Sequence, residues 1–192
     1  PAIARDLALM TSRAGVGLAE VVPLLIQLGK GTEAQALGKL ATAYLASGHY
    51  GLRREVYAAL AKQTQGAARA EVLYYLSDVA YRLGEPGEAV DKIIEAHKLA
   101  MAAADTPAAN REAIVERLQQ YARVYHSVYR TSFDERYHDA AQQAYAAYQD
   151  VPDTKGAAAM SQEAQQLAAA KARAEGAKGQ HDPEELHRRL LA

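Results

Sequence analysis

The chain has no cysteine, no tryptophan, a single phenylalanine (Phe133) and only six prolines in 192 residues. Without thiols, disulfides and thiolate metal sites are excluded. An excess of charge of one sign is also missing, since 22 Lys and Arg against 23 Asp and Glu give a formal net charge of -1. Binding a phosphate backbone or an anionic bilayer calls for a basic excess, so the totals give no footprint for either and no nucleic-acid partner is expected. Long apolar runs are lacking too. The longest mostly apolar stretch, Leu18 to Leu28, is short of the ~20 residues a helix needs to cross a bilayer. The expectation is a soluble chain without membrane insertion, in cytoplasm or periplasm. It opens on Pro1 rather than Met, as a processed product or a fragment would.

What is present is apolar, rich in alanine and rich in tyrosine. Hydrophobic residues make up 49% of the chain, enough for one core, and there are 12 Tyr. Alanine favours helix and lets helices approach closely. Tyrosine, with an apolar ring and a polar tip, suits half-buried interfaces and contact grooves.

Apolar positions recur at three and four residues nearly throughout, which is the helical period, and no stretch alternates as a strand would. The spacing predicts helices near 2–13, 18–29, 33–47, 50–63, 68–83, 86–103, 107–130 and 134–149. Thr106 is expected to cap the helix that Pro107 opens, and Pro86 to open another. Pro152 is expected to stop the helix ending near Gln149, and Pro23 to kink or restart the helix it interrupts. Residues 164–180 are of low complexity, and composition leaves open whether they extend a helix or form a linker. Asp182, Pro183, Glu184, Glu185, Arg188 and Arg189 predict a short tail helix over 182–192, with acids in its first turn and bases in its last.

The paired helices repeat. From Ala70 onward, Leu73, Leu76, Ser77, Ala80, Gly84, Pro86, Ala89, Ile93 and Ala96 follow a large–large–small order in which small residues let neighbouring helices close up and Gly84 allows the turn. Leu37, Leu40, Ala41, Tyr44, Gly48, Tyr50, Tyr57 and Leu60 repeat the pattern 36 positions earlier (48 against 84). Arg53 stands where a small residue belongs, and either snorkelling or a local helix rotation is expected to accommodate it. Ala4, Leu7, Ala8, Thr11, Gly15 and Leu24 form a weaker copy. Leu118, Tyr121, Ala122 and Tyr125, then Tyr137, Ala140, Ala144 and Ala147, form a last one in which a first helix reaching Arg130 absorbs six extra residues.

This pattern resembles the tetratricopeptide repeat (TPR). The resemblance implies an all-α, right-handed α-solenoid of antiparallel helix pairs. Residues 1–152 would form the repeat domain (pairs 1–33, 34–69, 70–106 and 107–152), 153–181 an Ala/Lys-rich helix or linker, and 182–192 the C-terminal tail helix. It further implies a non-catalytic scaffold, without cofactor, whose first helices line a concave groove for another protein or a peptide, a role that includes subunits of larger bacterial assemblies. Carried over by register, the groove positions include Lys39, Thr42, Glu71, Tyr74, Tyr75, Asp78, Tyr81, Arg82, Gln119, Arg123 and His126. Tyr and Arg are the residues that commonly anchor partners. Leu186 and Leu190 of the tail would make a cap or a self-association contact.

Two other classes share some of these features. Glu135–His138 and Glu184–His187 have the Glu-x-x-His spacing of helical-bundle metal enzymes, but such a site needs carboxylates from further helices, so no metal is assigned. An RNA-binding repeat would pair its aromatics with a basic groove, and these positions are mixed in sign. Gly29-Lys30-Gly31-Thr32 lacks the spacing of a phosphate loop and reads as a turn between helices.

Overall fold

The structure is a computed structural model and describes residues 6, 17–29, 31–151 and 156–180. Among the described residues it is all-helical. The helices of more than one residue are α1 (Leu18–Gly29), α2 (Glu33–Ala46), α3 (Tyr50–Gln63), α4 (Gly66–Arg82), α5 (Pro86–Ala102), α6 (Ala108–Ser132), α7 (Glu135–Gln149) and α8 (Ala157–Gln180). The chain divides into two compact units, Pro1–Ile114 and Val115–Ala192, with the boundary inside α6. In the first unit each helix from α1 to α5 packs on its neighbour in sequence; in the second, α8 packs on α7.

The breaks have local causes. Thr32 closes a capping box: its hydroxyl accepts from the Gln35 N–H at 3.3 Å and the Gln35 side chain accepts from the Thr32 N–H at 3.1 Å. This satisfies two backbone donors that a helix start leaves without partners. Gly29 ends α1, and Gly31 and Thr32 stand directly before α2. At the other end of α2, Gly48 takes φ 73°. The His49 N–H reaches the Tyr44 carbonyl at 3.0 Å, and the Gly48 N–H reaches Leu45 at 3.2 Å. After α4, Gly84 takes φ 74°, with Glu85 N–H on Ala80 at 3.0 Å and Gly84 N–H on Tyr81 at 3.2 Å. These are two copies of one Schellman turn, in which a left-handed residue returns two N–H groups to the last carbonyls. The 36-residue repeat is therefore present in backbone hydrogen bonds as well as in residue types.

Burial follows the repeat. Leu73, Leu76, Ser77, Ala80, Ala89, Ile93 and Ala96 are all buried, as are Leu37, Leu40, Ala41, Tyr44, Tyr57 and Leu60. Fully burying one such aliphatic side chain stabilises by roughly 2 kcal/mol. In the second unit Leu118, Tyr121, Ala122, Tyr125, Ala140 and Ala144 are buried, joined by Met160 and Leu167 of α8. The long first helix expected before residue 130 is there: α6 runs 25 residues, or about 37 Å at the α-helical rise.

Several expectations are corrected. Arg53 does not snorkel; it is 3% exposed and reaches Asp78 across the interface between α3 and α4. Leu24 is 48% exposed rather than core, because Val21, Val22 and Leu25 form the buried stripe of α1. That helix runs unbroken through Pro23, so the proline does not restart it. Pro107 does not open α6: its carbonyl accepts the first helical N–H groups, from Asn110 and Arg111. Thr106 does not cap by its side chain, since its buried hydroxyl has no hydrogen-bond partner among the described residues. The question left open for 164–180 is resolved, as those residues complete α8. Most of the expected helix 2–13, the expected stop at Pro152 and the tail 182–192 with Leu186, Leu190 and Glu184–His187 lie outside the described residues.

Candidate functional site

Helix α4 carries the densest set of expected groove positions. Glu71, Tyr74, Tyr75, Asp78, Tyr81 and Arg82 are three or four residues apart, so they share one side of the helix. Tyr74 and Tyr75 are half-buried and meet edge to face, with ring centroids 5.6 Å apart at 73°. Tyr75 stacks on Tyr57 of α3 at 5.3 Å and 14°. Its hydroxyl donates to Glu71 Oε1 at 3.3 Å. Burial first, then the Glu71 charge, pushes the Tyr75 phenol above its ordinary pKa, so it stays a donor at neutral pH.

Beside this pair lies a cavity of about 130 Å³ lined by Glu71, Tyr74, Tyr75, Asn110, Ala113 and Ile114. The last three are the opening turns of α6, spaced to share a face. Sequence reasoning missed them because the carried-over register began later on that helix. The helical spacing of Asn110, Ala113 and Ile114 was the available signal.

One turn further along α4, Asp78 is the centre of an ion-pair network. Its carboxylate lies 3.5 Å from the Arg53 guanidinium and accepts from Arg82 Nε at 3.2 Å. Arg82 also donates to the Tyr50 hydroxyl at 3.3 Å and lies over that ring at 5.4 Å. Arg53 itself donates to the Tyr57 hydroxyl at 3.3 Å. Asp78 and Arg82 therefore work within the chain, fixing α3 against α4. Lys39 and Thr42 are exposed on α2, and the Thr42 hydroxyl is turned back onto the Gly38 carbonyl at 3.1 Å.

In the second unit the expected groove positions are met by α8. Arg123 Nε donates to the Glu163 carboxylate at 3.0 Å. His126 is 8% exposed, with Nδ1 3.0 Å from the Tyr145 hydroxyl, and that hydroxyl lies 3.3 Å from Glu163. Burial, then the charge of Arg130, holds the His126 pKa below its ordinary value. Burial, then Glu163, pushes the Tyr145 phenol far up. Gln119 is half-buried. Glu163 entered no sequence-based expectation, since the stretch around it carries no pattern that points to a partner.

Glu135, His138 and Asp139 bring their ligand atoms within 4.8 Å of one another, a grouping the Glu-x-x-His spacing foreshadowed. Each already has a partner in the chain: Glu135 with Lys171 at 3.1 Å, and His138 Nδ1 with Asp139 at 3.0 Å. All three come from one turn of α7, so the arrangement reads as an ion-pair cluster fastening α8. A larger cavity, about 490 Å³, is lined by Leu18, Val22, Ile26, Leu37 and other residues of α1 to α3. Its mostly aliphatic walls suit burial of apolar surface more than polar recognition.

No protein-family model, curated protein or solved structure matches this chain. Among the described residues no helix is long and apolar enough to cross a membrane.

Proposed function

We propose that this chain is a TPR-like, right-handed helical solenoid that acts as a non-catalytic scaffold, holding a segment of another protein against the side of α4 that carries Glu71, Tyr74 and Tyr75. The observation that carries the reading is the small cavity beside those residues, walled by two tyrosines, a carboxylate and the first turns of α6. Half-buried tyrosines next to an unfilled space offer a partner large, stiff contact area at little entropic cost. The duplicated Schellman turns and the small–large burial pattern support the repeat architecture, and stacked helix pairs of that kind use such faces for peptides.

Peptide selection from a displayed library on the wild-type chain, with Tyr74→Ala as counter-selection, tests the reading. Selected peptides should protect amides of α4 and the opening of α6 from hydrogen exchange, and should bind Tyr74→Ala at least tenfold more weakly. Protection confined to α3 or α5, or no selectable peptide, would overturn it. Self-association through the tail 182–192 is proposed separately. Truncation after Asp153 would remove α8 as well, so deletion of 182–192 alone is the cleaner variant, and an unchanged oligomeric state would exclude the idea.

A further inference from the structure

We infer that the cavity lined by Glu71, Tyr74, Tyr75, Asn110, Ala113 and Ile114 is a subsite for one cationic side chain, lysine or arginine, of the bound polypeptide. The inference rests on the peptide-binding reading above and names the chemistry of that site.

Size is the first argument. At about 130 Å³ the space is well below the ~300–1,000 Å³ of pockets that enclose whole small molecules, and on the scale of the end of one long side chain. The walls are the second. Two tyrosine rings set 5.6 Å apart and 73° to each other line the space, and the face of such a ring is the negative end of its quadrupole. A cation within ~6 Å of such a ring is attracted by its quadrupole. Tyr57 stacked behind Tyr75 at 5.3 Å holds that wall in place, so little order has to be imposed when a ligand enters.

The polar groups supply the sign. The Glu71 carboxylate borders the cavity and is oriented by the Tyr75 hydroxyl at 3.3 Å. A carboxylate has further lone pairs for an ammonium or guanidinium. The Asn110 side chain offers another acceptor, and the apolar surface of Ala113 and Ile114 suits the methylene stem of a long cationic side chain. An anionic side chain would face Glu71 with like charge, and a neutral aliphatic one would leave the acid without a counter-charge.

Titration of the full chain with Nα-acetyl-lysine N-methylamide, Nα-acetyl-arginine N-methylamide and the neutral norleucine analogue, followed by amide chemical shifts, tests the subsite. At least one cation should saturate with a millimolar Kd, shifting Glu71, Tyr74, Asn110 and Ile114. Norleucine should bind about tenfold more weakly, and Glu71→Gln should lose a similar factor for the cation, as expected of a cation–π contact reinforced by a carboxylate. Tyr74→Phe should retain binding and Tyr74→Ala lose it, separating loss of the ring from loss of the hydroxyl. Equal binding of norleucine and the cations, or an unchanged cation Kd in Glu71→Gln, would overturn the inference. Selected peptides that protect α4 without any requirement for Lys or Arg would also overturn it while leaving the peptide-binding reading intact. A cation that saturates here when no peptide protects α4 would support the subsite and remove the scaffold reading.

Discussion

In the unit formed by Pro1–Ile114, the tyrosines of α4 border an open cavity and Asp78 draws its partners from α3 and from its own helix. In the unit formed by Val115–Ala192, Arg123 holds the repeat position matching Asp78 and His126 the one matching Tyr81, yet Arg123 pairs with Glu163 of α8 and His126 with Tyr145 of α7, itself tied to Glu163. The turns differ as well. Gly48 and Gly84 enter the left-handed region in the first unit, whereas Phe133 does so at φ 54° between α6 and α7. One helical register thus serves two ends: on α4 its side chains border a cavity that the opening of α6 closes on the far side, and on α6 they become the seam that fastens α8. Which of the two a position does depends on its neighbour in space, and a residue's type does not reveal that.

The largest expected effect breaks the first unit's network. Asp78→Ala leaves Arg53 buried without its counter-charge, and unfolding in urea should show a loss of about 3 kcal/mol. Arg53→Met added to that variant should restore much of it, because an apolar side chain replaces a stranded cation. If the double variant is no more stable than Asp78→Ala, the buried pair is not what ties α3 to α4.

Leu167→Ala probes the corresponding seam in the second unit. Leu167 is among the largest fully buried side chains, and its truncation should cost about 2–3 kcal/mol. Hydrogen exchange should accelerate in α8 and leave α4 unchanged. Uniform acceleration across both units would show that they unfold as one cooperative body.

The turns give a smaller contrast. No other atom lies within 4 Å of a Cβ added at Gly84, so Gly84→Ala should cost only the left-handed backbone penalty, about 1 kcal/mol. Phe133→Gly should gain up to about 1 kcal/mol, reduced by the lost edge contact with Tyr129. Thermal unfolding of the two variants should shift in opposite directions.

The smallest effect is a slope with pH. Because burial depresses the His126 pKa from 6.5, the unfolded chain binds that proton more readily than the folded one. Stability is therefore full above the unfolded pKa and declines as pH falls below about 6.5 towards the folded value. Carboxylates ordinarily titrate near pH 4, below the window between pH 7 and 5. His126→Gln should flatten the decline there, and an undiminished slope would assign it to another group.

Much of the fold was legible because its causes are local. The 3.6-residue period, Pro86 at the first turn of α5 and the glycines at 48 and 84 each act within a few residues, and they located α1 to α7 to within one or two residues of those found. The small–large order around Leu73, Ser77, Ala89 and Ile93 likewise named its own buried set. The candidate site was legible only in part. Glu71, Tyr74 and Tyr75 were expected on one face of α4, but the opposite wall of Asn110, Ala113 and Ile114 comes from some forty residues away in sequence.

From the amino-acid order alone came α1 to α7 and the turns at Gly48 and Gly84, since hydrogen bonds and side-chain spacing within a helix reach only three or four positions. Tertiary structure alone decided that Arg53 meets Asp78, that Tyr75 lies against Tyr57, and that Arg123 is taken by Glu163. A charge or a ring attracts whatever compatible group is nearest, and nearness between residues 18 to 40 positions apart is set by packing rather than by the chain between them.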